Sequence, residues 1–94
     1  DLSRTDGAGE LIRKVSELGL TVDTLINNAG FGELGPYHTF PWETFRSMIQ
    51  VNVMSLCELT HAYLPGMIDR RQGRILNVAS TAAFQPGPLM AVYF

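Results

Sequence analysis

The stretch from Pro41 to Ile68 constrains this chain most. Phe45, Ile49, Asn52, Leu56, Leu59, Tyr63 and Met67 recur in steps of three and four, the period of one helix face. Trp42, Val53, Cys57 and Leu64 widen the apolar surface beyond a single stripe, so the helix is expected to be buried on more than one side. Pro41 suits its first position, although Phe40 then stands where a capping Ser, Thr or Asp is usual. Short β-prone runs flank it, Thr21 to Asn27 (TVDTLIN) and Arg74 to Ala79 (RILNVA). Strand, long helix and strand make a crossover unit with parallel strands. The second run is apolar on both faces, as in a sheet covered on each side, and this calls for further strands beyond the pair.

The rest of the chain fits around this unit. A helix is expected from about Asp6, a plausible N-cap, with Leu11, Ile12, Val15 and Leu18 on one face and Gly19 as its stop. Pro65-Gly66 should kink or loosen the last turns of the long helix. A Gly- and Pro-rich loop runs from Ala29 to about Phe40. Another carries Pro86-Gly87-Pro88, with a helix expected from near Leu89 and Tyr93 in its first turns.

Composition narrows the class. With 46% apolar and 17% charged residues, the 94-residue chain reads as globular and holds at most one domain. A net charge of −2 gives no broad basic surface for nucleic acid. The one local basic cluster, Arg70, Arg71 and Arg74 beside Asp69, reads as a solvated turn. No apolar run is long enough to span a bilayer. The single cysteine, Cys57, rules out an internal disulfide and fits a reducing compartment; its apolar neighbours predict a buried, inert thiol. His38 and His61 lack a second ligand at metal spacing, so no metal site is expected.

Five features bear on chemistry. Gly30-Phe31-Gly32-Glu33-Leu34-Gly35 spells G-x-G-x-x-G after a strand, but Pro36 and Pro41 follow and no helical period begins before the latter. A phosphate-binding turn must open directly into a helix, so this is read as a loop. Asn27-Asn28-Ala29-Gly30 sits at a strand's C-terminal end, where open parallel sheets bind ligands, and its small residues leave room for a flat nucleotide; an ordinary strand-ending turn is the alternative. Asn52 falls on the inner helix face, where an unpartnered amide would cost about 1–3 kcal/mol. Something polar must reach it, and backbone is the plain candidate. Ser80 follows the second strand and can donate to a substrate oxygen or cap a turn. Tyr93 follows by thirteen positions. An unperturbed phenol titrates near pH 10, about three units above neutrality, so acid/base work needs a nearby cation. Without one, a tyrosine is simply a core or surface aromatic.

Together, NNAG after a strand, Asn52 on a helix, and Ser80 and Tyr93 after the next strand resemble the middle of a short-chain dehydrogenase/reductase. The resemblance covers almost all of the chain. It implies a Rossmann-like doubly wound parallel α/β sheet, of which residues 1–94 are a partial, single NAD(P)-binding domain cut at both ends. It implies Tyr93 as general acid/base, Ser80 as the holder of the reacting oxygen, and Asn52 as anchor of a water relay. The relay would lead to a lysine four residues after Tyr93, position 97, whereas the sequence stops at Phe94. It assigns Asn28, Ala29 and Gly30 to the adenine-side ribose, and Asp1 and Leu2 to the adenine amino group.

The function expected from the resemblance is hydride transfer between NAD or NADP and a hydroxyl or carbonyl of a small-molecule substrate, with the fragment alone inactive. The alternatives are a Rossmann module that binds a nucleotide without redox work, and an interaction fragment acting through the long helix. The family commonly pairs through that helix and the one starting near Leu89, so a homo-oligomer is expected, and the single cysteine fits a cytoplasmic setting. The loops Phe31–Phe40 and Thr81–Pro88 would flank the substrate, with Phe31, Leu34, Phe84 and Leu89 forming an apolar pocket.

Overall fold

The computed structural model describes all 94 residues. Helix α1 spans Gly7–Glu17, strand β1 Thr24–Asn27, helix α2 Trp42–Ile49, helix α3 Leu56–Arg70 and strand β2 Arg74–Asn77. A π-helical turn, Gln50–Ser55, joins α2 to α3, so the chain stays helical from Trp42 to Arg70. The strands pair in parallel, with Thr24 opposite Arg74 and Asn27 opposite Asn77. The crossover unit read from the periodicity is therefore present.

Both strands are shorter than the β-prone runs. At the start of β1, the Arg70 guanidinium takes the Val22 carbonyl at 3.1 Å, removing it from any ladder. At the other end the ladder fades one bond past the strands, where Val78 N–H donates to the Asn27 carbonyl.

The long helix has the expected extent, and Phe45, Leu59 and Met67 of its expected inner stripe are buried. Around the π turn the buried positions are Met48 and Ser55 in place of Ile49, which faces solvent, a local departure from regular spacing. Cys57 is exposed, contrary to expectation. It shares an outer face with Val53, Leu64 and Ile68, and no element covers that face. Pro65 lies within α3, which runs on for another turn. Pro41 serves as the N-cap of α2 and not as its first residue; its extended backbone places its carbonyl to accept from Thr44 N–H. No helix in the structure is long and apolar enough to cross a membrane.

Helix α1 begins after Asp6, but that side chain does not cap it; its carboxylate pairs with Arg4 instead. Gly19 ends it at φ +65. Gly7 and Ala8 are buried where α1 meets the Asp1-Leu2 segment, and a Cβ on Gly7 would overlap the Asp1 carbonyl. The expected helix near Leu89 is absent: the segment forms turns, and Leu89 sits at φ +64. One helical nucleus fixes several dihedrals for a single bond, and here only Phe94 N–H to the Met90 carbonyl closes a full turn.

Only nine of the 94 residues are buried, so much apolar surface stays open. Leu25 and Ile75 lie half-buried, on the sheet face that carries α3. Ile26 and Leu76, on the opposite face, are more than half exposed.

Candidate active site

Asparagines tie the ends of the strands together. Asn27 Nδ2 donates to Asn77 Oδ1 at 2.8 Å and to Thr60 Oγ1 at 3.1 Å, joining β1, β2 and α3 through one side chain. Its own Oδ1 is buried without a donor. Asn27, Thr60 and Asn77 were missed as a unit by the sequence reading. The signal was present in the matching endings Leu25-Ile26-Asn27 and Ile75-Leu76-Asn77, but it becomes legible only once the register puts the two asparagines opposite one another.

Asn52 sits within the π turn and grips the chain just beyond Gly30. Its Oδ1 accepts from Phe31 N–H at 3.0 Å, and its Nδ2 donates to the Phe31 carbonyl at 2.8 Å. The partner required for the inward amide is thus backbone. A π turn rotates its side chains away from regular helical directions, and here it presents this amide to the loop.

Ser80 acts as a cap. Its Oγ accepts from Ala82 N–H at 3.2 Å at the start of the 3₁₀ turn Thr81–Phe84. A hydroxyl has one donor and two acceptor sites, so capping fixes the oxygen and leaves the proton free to donate elsewhere. The ring of Tyr93 lies against Gly32 and meets Phe94 edge-on, with centroids 6.0 Å apart.

These residues meet in a cleft of about 300 Å³. Asn28, Ala29, Gly30, Asn52, Ser80 and Tyr93 all line it, together with apolar side chains such as Leu56, Val78 and Phe94. It opens beyond the C-terminal ends of both strands, and no ionised side chain lines it. Asp1 and Leu2 lie elsewhere. The Asp1 carboxylate is taken up by Ser3 N–H and Oγ–H, and the Leu2 carbonyl accepts from the buried Ser55 hydroxyl at 3.1 Å. Leu2 lines a second, apolar cavity of about 280 Å³ with Leu11, Val15 and Leu25. Asn27, Asn28 and Ala29 line both cavities, so the NNAG turn is their common wall.

Phe31, Leu34, Phe84 and Leu89 do not form the expected apolar pocket. None of them lines the cleft, and Phe84 is 90% exposed. Leu34 and Leu89 are exposed as well, in loops whose anchoring bonds involve backbone groups and leave these side chains unheld. Perturbed acids also lie outside both cavities. Hydrogen bonds from Arg4 and Arg46 hold the Asp6 and Glu43 carboxyls below their ordinary range.

A family model described as short chain dehydrogenase matches residues 1–94. An uncharacterised oxidoreductase of Bacillus subtilis (strain 168), YvrD, is 42% identical over 93 residues, covering 99% of this chain and 35% of its own. The very-long-chain 3-oxoacyl-CoA reductase of Anas platyrhynchos is 38% identical over 79 residues, covering 80% of this chain and 25% of its own. Among solved structures, a metagenomic short-chain oxidoreductase in complex with NADP superposes with a TM-score of 0.86 at 34% identity, over 99% of this chain and 42% of that one. A structure described for 7beta-hydroxysteroid dehydrogenase stereoselectivity gives 0.89 at 25% identity, over 99% and 36%. The chain thus spans about a third of the length of the curated relatives that match it almost end to end. Its parallel α/β arrangement is a portion of their Rossmann-type fold. From the match along its whole length and the shared fold, the chain belongs to the short-chain dehydrogenase family.

Proposed function

We propose that these residues form the central part of an NAD(P)-dependent oxidoreductase acting on a hydroxyl or carbonyl group of a small molecule. One observation carries the reading: Ser80, Tyr93, Asn52 and the NNAG turn, far apart in sequence, line a single cleft at the C-terminal edge of the parallel strands. Ligands of open α/β sheets bind at such an edge.

A dinucleotide suits this edge. Ala29 and Gly30 leave their wall flat, and the buried Asn27 Oδ1 is an acceptor still lacking a donor. The NNAG turn would line the adenine-side ribose, with the Leu2 cavity on one side of it and Ser80 and Tyr93 on the other. Ser3 bonds only Oδ1 of Asp1, so Oδ2 stays open to accept from an adenine amino group. When bound, the nicotinamide supplies the hydride chemistry.

The chain's own residues do the rest. Ser80, its oxygen fixed by the Ala82 N–H, donates its proton to the reacting oxygen. Tyr93 gives that oxygen a proton, or takes one, as general acid/base. A cation must stand near the phenol for this, and a lysine four residues after Tyr93 in the full-length protein would supply it. Asn52 fixes the loop beside the cleft, and by resemblance to the family it would anchor the water relay to that lysine.

The outer face of the long helix supports a homo-oligomer. Trp42, Val53, Met54 and Ile68 are each more than half exposed there, a surface that a second copy would cover. A reducing, cytoplasmic setting fits the lone free thiol of Cys57.

Turnover and cofactor titration of Tyr93→Phe and Ser80→Ala in the full-length protein test the reading. General acid/base catalysis is worth about 10²- to 10⁴-fold, so Tyr93→Phe should lose turnover on that scale while cofactor affinity holds. Full turnover by Tyr93→Phe would overturn the acid/base role of Tyr93, and cofactor binding without any turnover in the unsubstituted protein would leave only a nucleotide-binding module.

A further inference from the structure

The G-x-G-x-x-G run from Gly30 to Gly35 has a different use from the one its spelling advertises. No α-helix follows before Trp42, so no helix N-terminus stands behind it. Backbone conformation does not demand glycine either, since only Gly19 among the glycines has positive φ. Instead, each of the three glycines faces a side chain. A Cβ on Gly30 would stand 3.2 Å from Asn52 Oδ1, and one on Gly35 would stand 2.9 Å from the Phe40 ring. On Gly32 it would stand 2.8 and 2.9 Å from Cγ and Cδ2 of Tyr93, and 3.0 Å from Met90 Cε.

We propose that Gly32 is a positioning residue for Tyr93: the bare backbone at Gly32 is the seat of the phenol ring and sets where its oxygen stands in the cleft. The inference rests on the oxidoreductase reading above. Two anchors keep the loop from yielding. Asn52 grips both backbone groups of Phe31, and Gly35 N–H donates to the Leu89 carbonyl at 2.8 Å. Gly32 lies between these anchors.

An added methyl must therefore displace what rests on it. Met90 Cε is the tip of a flexible chain and can step aside. Tyr93 Cγ is the root of its ring, and spinning the ring does not move it. With the Gly32 loop anchored, the clash clears by a swing about the Cα–Cβ bond or by a shift of the Tyr93 segment, and either one moves the hydroxyl. A misplacement of about 1 Å can cost on the order of 10²-fold in rate.

The test compares Gly32→Ala, Tyr93→Phe and their double variant in the full-length protein. It adds thermal melts of Gly32→Ala, Tyr93→Ala and that pair combined. Gly32→Ala should lower kcat about 10- to 100-fold with cofactor affinity unchanged, and should displace the pH profile of kcat. It should add no further loss in the Tyr93→Phe background. It should also lower Tm when Tyr93 is present and leave Tm unmoved in Tyr93→Ala, because the crowded ring is gone. An inactive Tyr93→Phe beside a fully active Gly32→Ala would overturn the seat and spare the oxidoreductase reading. Full turnover by Tyr93→Phe would overturn the catalytic role of Tyr93 and the seat with it, whereas absence of turnover in the unsubstituted protein would overturn the oxidoreductase reading itself. Equal losses of Tm with and without the tyrosine ring would mean that Gly32 serves only its own loop, and the inference would fall.

Discussion

The two loops that form the cleft are held in different ways. The loop after β1 is fixed by a side chain from another element: Asn52, over twenty positions on, takes both backbone groups of Phe31. The segment after β2 is held mainly by its own backbone, through the Ser80 cap, the 3₁₀ turn and Leu89 in a left-handed conformation. Long-range side-chain bonds make the first loop a fixed wall. Local turns make the second, which carries Ser80 and Tyr93, the more easily displaced wall. In the proposed site the first wall would hold the cofactor still, whereas Ser80 and Tyr93 on the second need contacts from outside it, such as the Gly32 backbone against the Tyr93 ring, for their placement.

The largest effect that could break this comparison is at Asn52. Asn52→Ala removes two hydrogen bonds at about 1 kcal/mol each and should destabilise the full-length protein by about 2 kcal/mol in urea melts. Ser80→Ala removes one local cap and should cost about 0.5–1 kcal/mol. Equal losses would mean that the two loops are held alike.

A smaller effect separates their backbones. Leu34→Gly, in the first loop, should cost about 0.5–1 kcal/mol because the unfolded chain gains freedom. At Leu89 the same substitution also relieves a left-handed conformation worth about 1–2 kcal/mol, so stability should hold or rise. A melt showing equal losses at Leu89 and Leu34 would remove the strain from the second segment.

The smallest effect lies away from both loops. Asp6 and Glu43 are held below their ordinary range by hydrogen bonds from Arg4 and Arg46. A depressed carboxylate contributes stability above its unfolded value and loses it as pH falls through the lower folded one. Both groups are fully exposed, so solvent screens most of this contribution. Asp6→Asn with Glu43→Gln should flatten the acid limb of stability slightly and leave turnover unchanged. A marked change in turnover would link these surface pairs to the cleft.

The same contrast explains what the sequence made legible. Helix and strand periods marked the crossover unit, because burial imposes a repeat on many residues at once. Asn52 stood out because an amide on an apolar stripe demands a partner. The turns of residues 85–94 left no such mark: Leu89 gives no hint of positive φ, and apolar spacing around Met90 reads equally well as a helix. The π turn was hidden because one extra residue alters phase without altering composition. Cys57 was misjudged because neighbours in sequence do not reveal which helix face another element covers. The role of Gly32 needed the fold as well, since its reason is a ring sixty positions away.

A crystal structure of the full-length protein with NAD(P) and a carbonyl inhibitor tests the central claim most directly. The account predicts the inhibitor oxygen within about 2.6–3.2 Å of both Ser80 Oγ and Tyr93 Oη, with the dinucleotide along the NNAG wall. Either hydroxyl out of reach, or the dinucleotide bound at another edge, would contradict it.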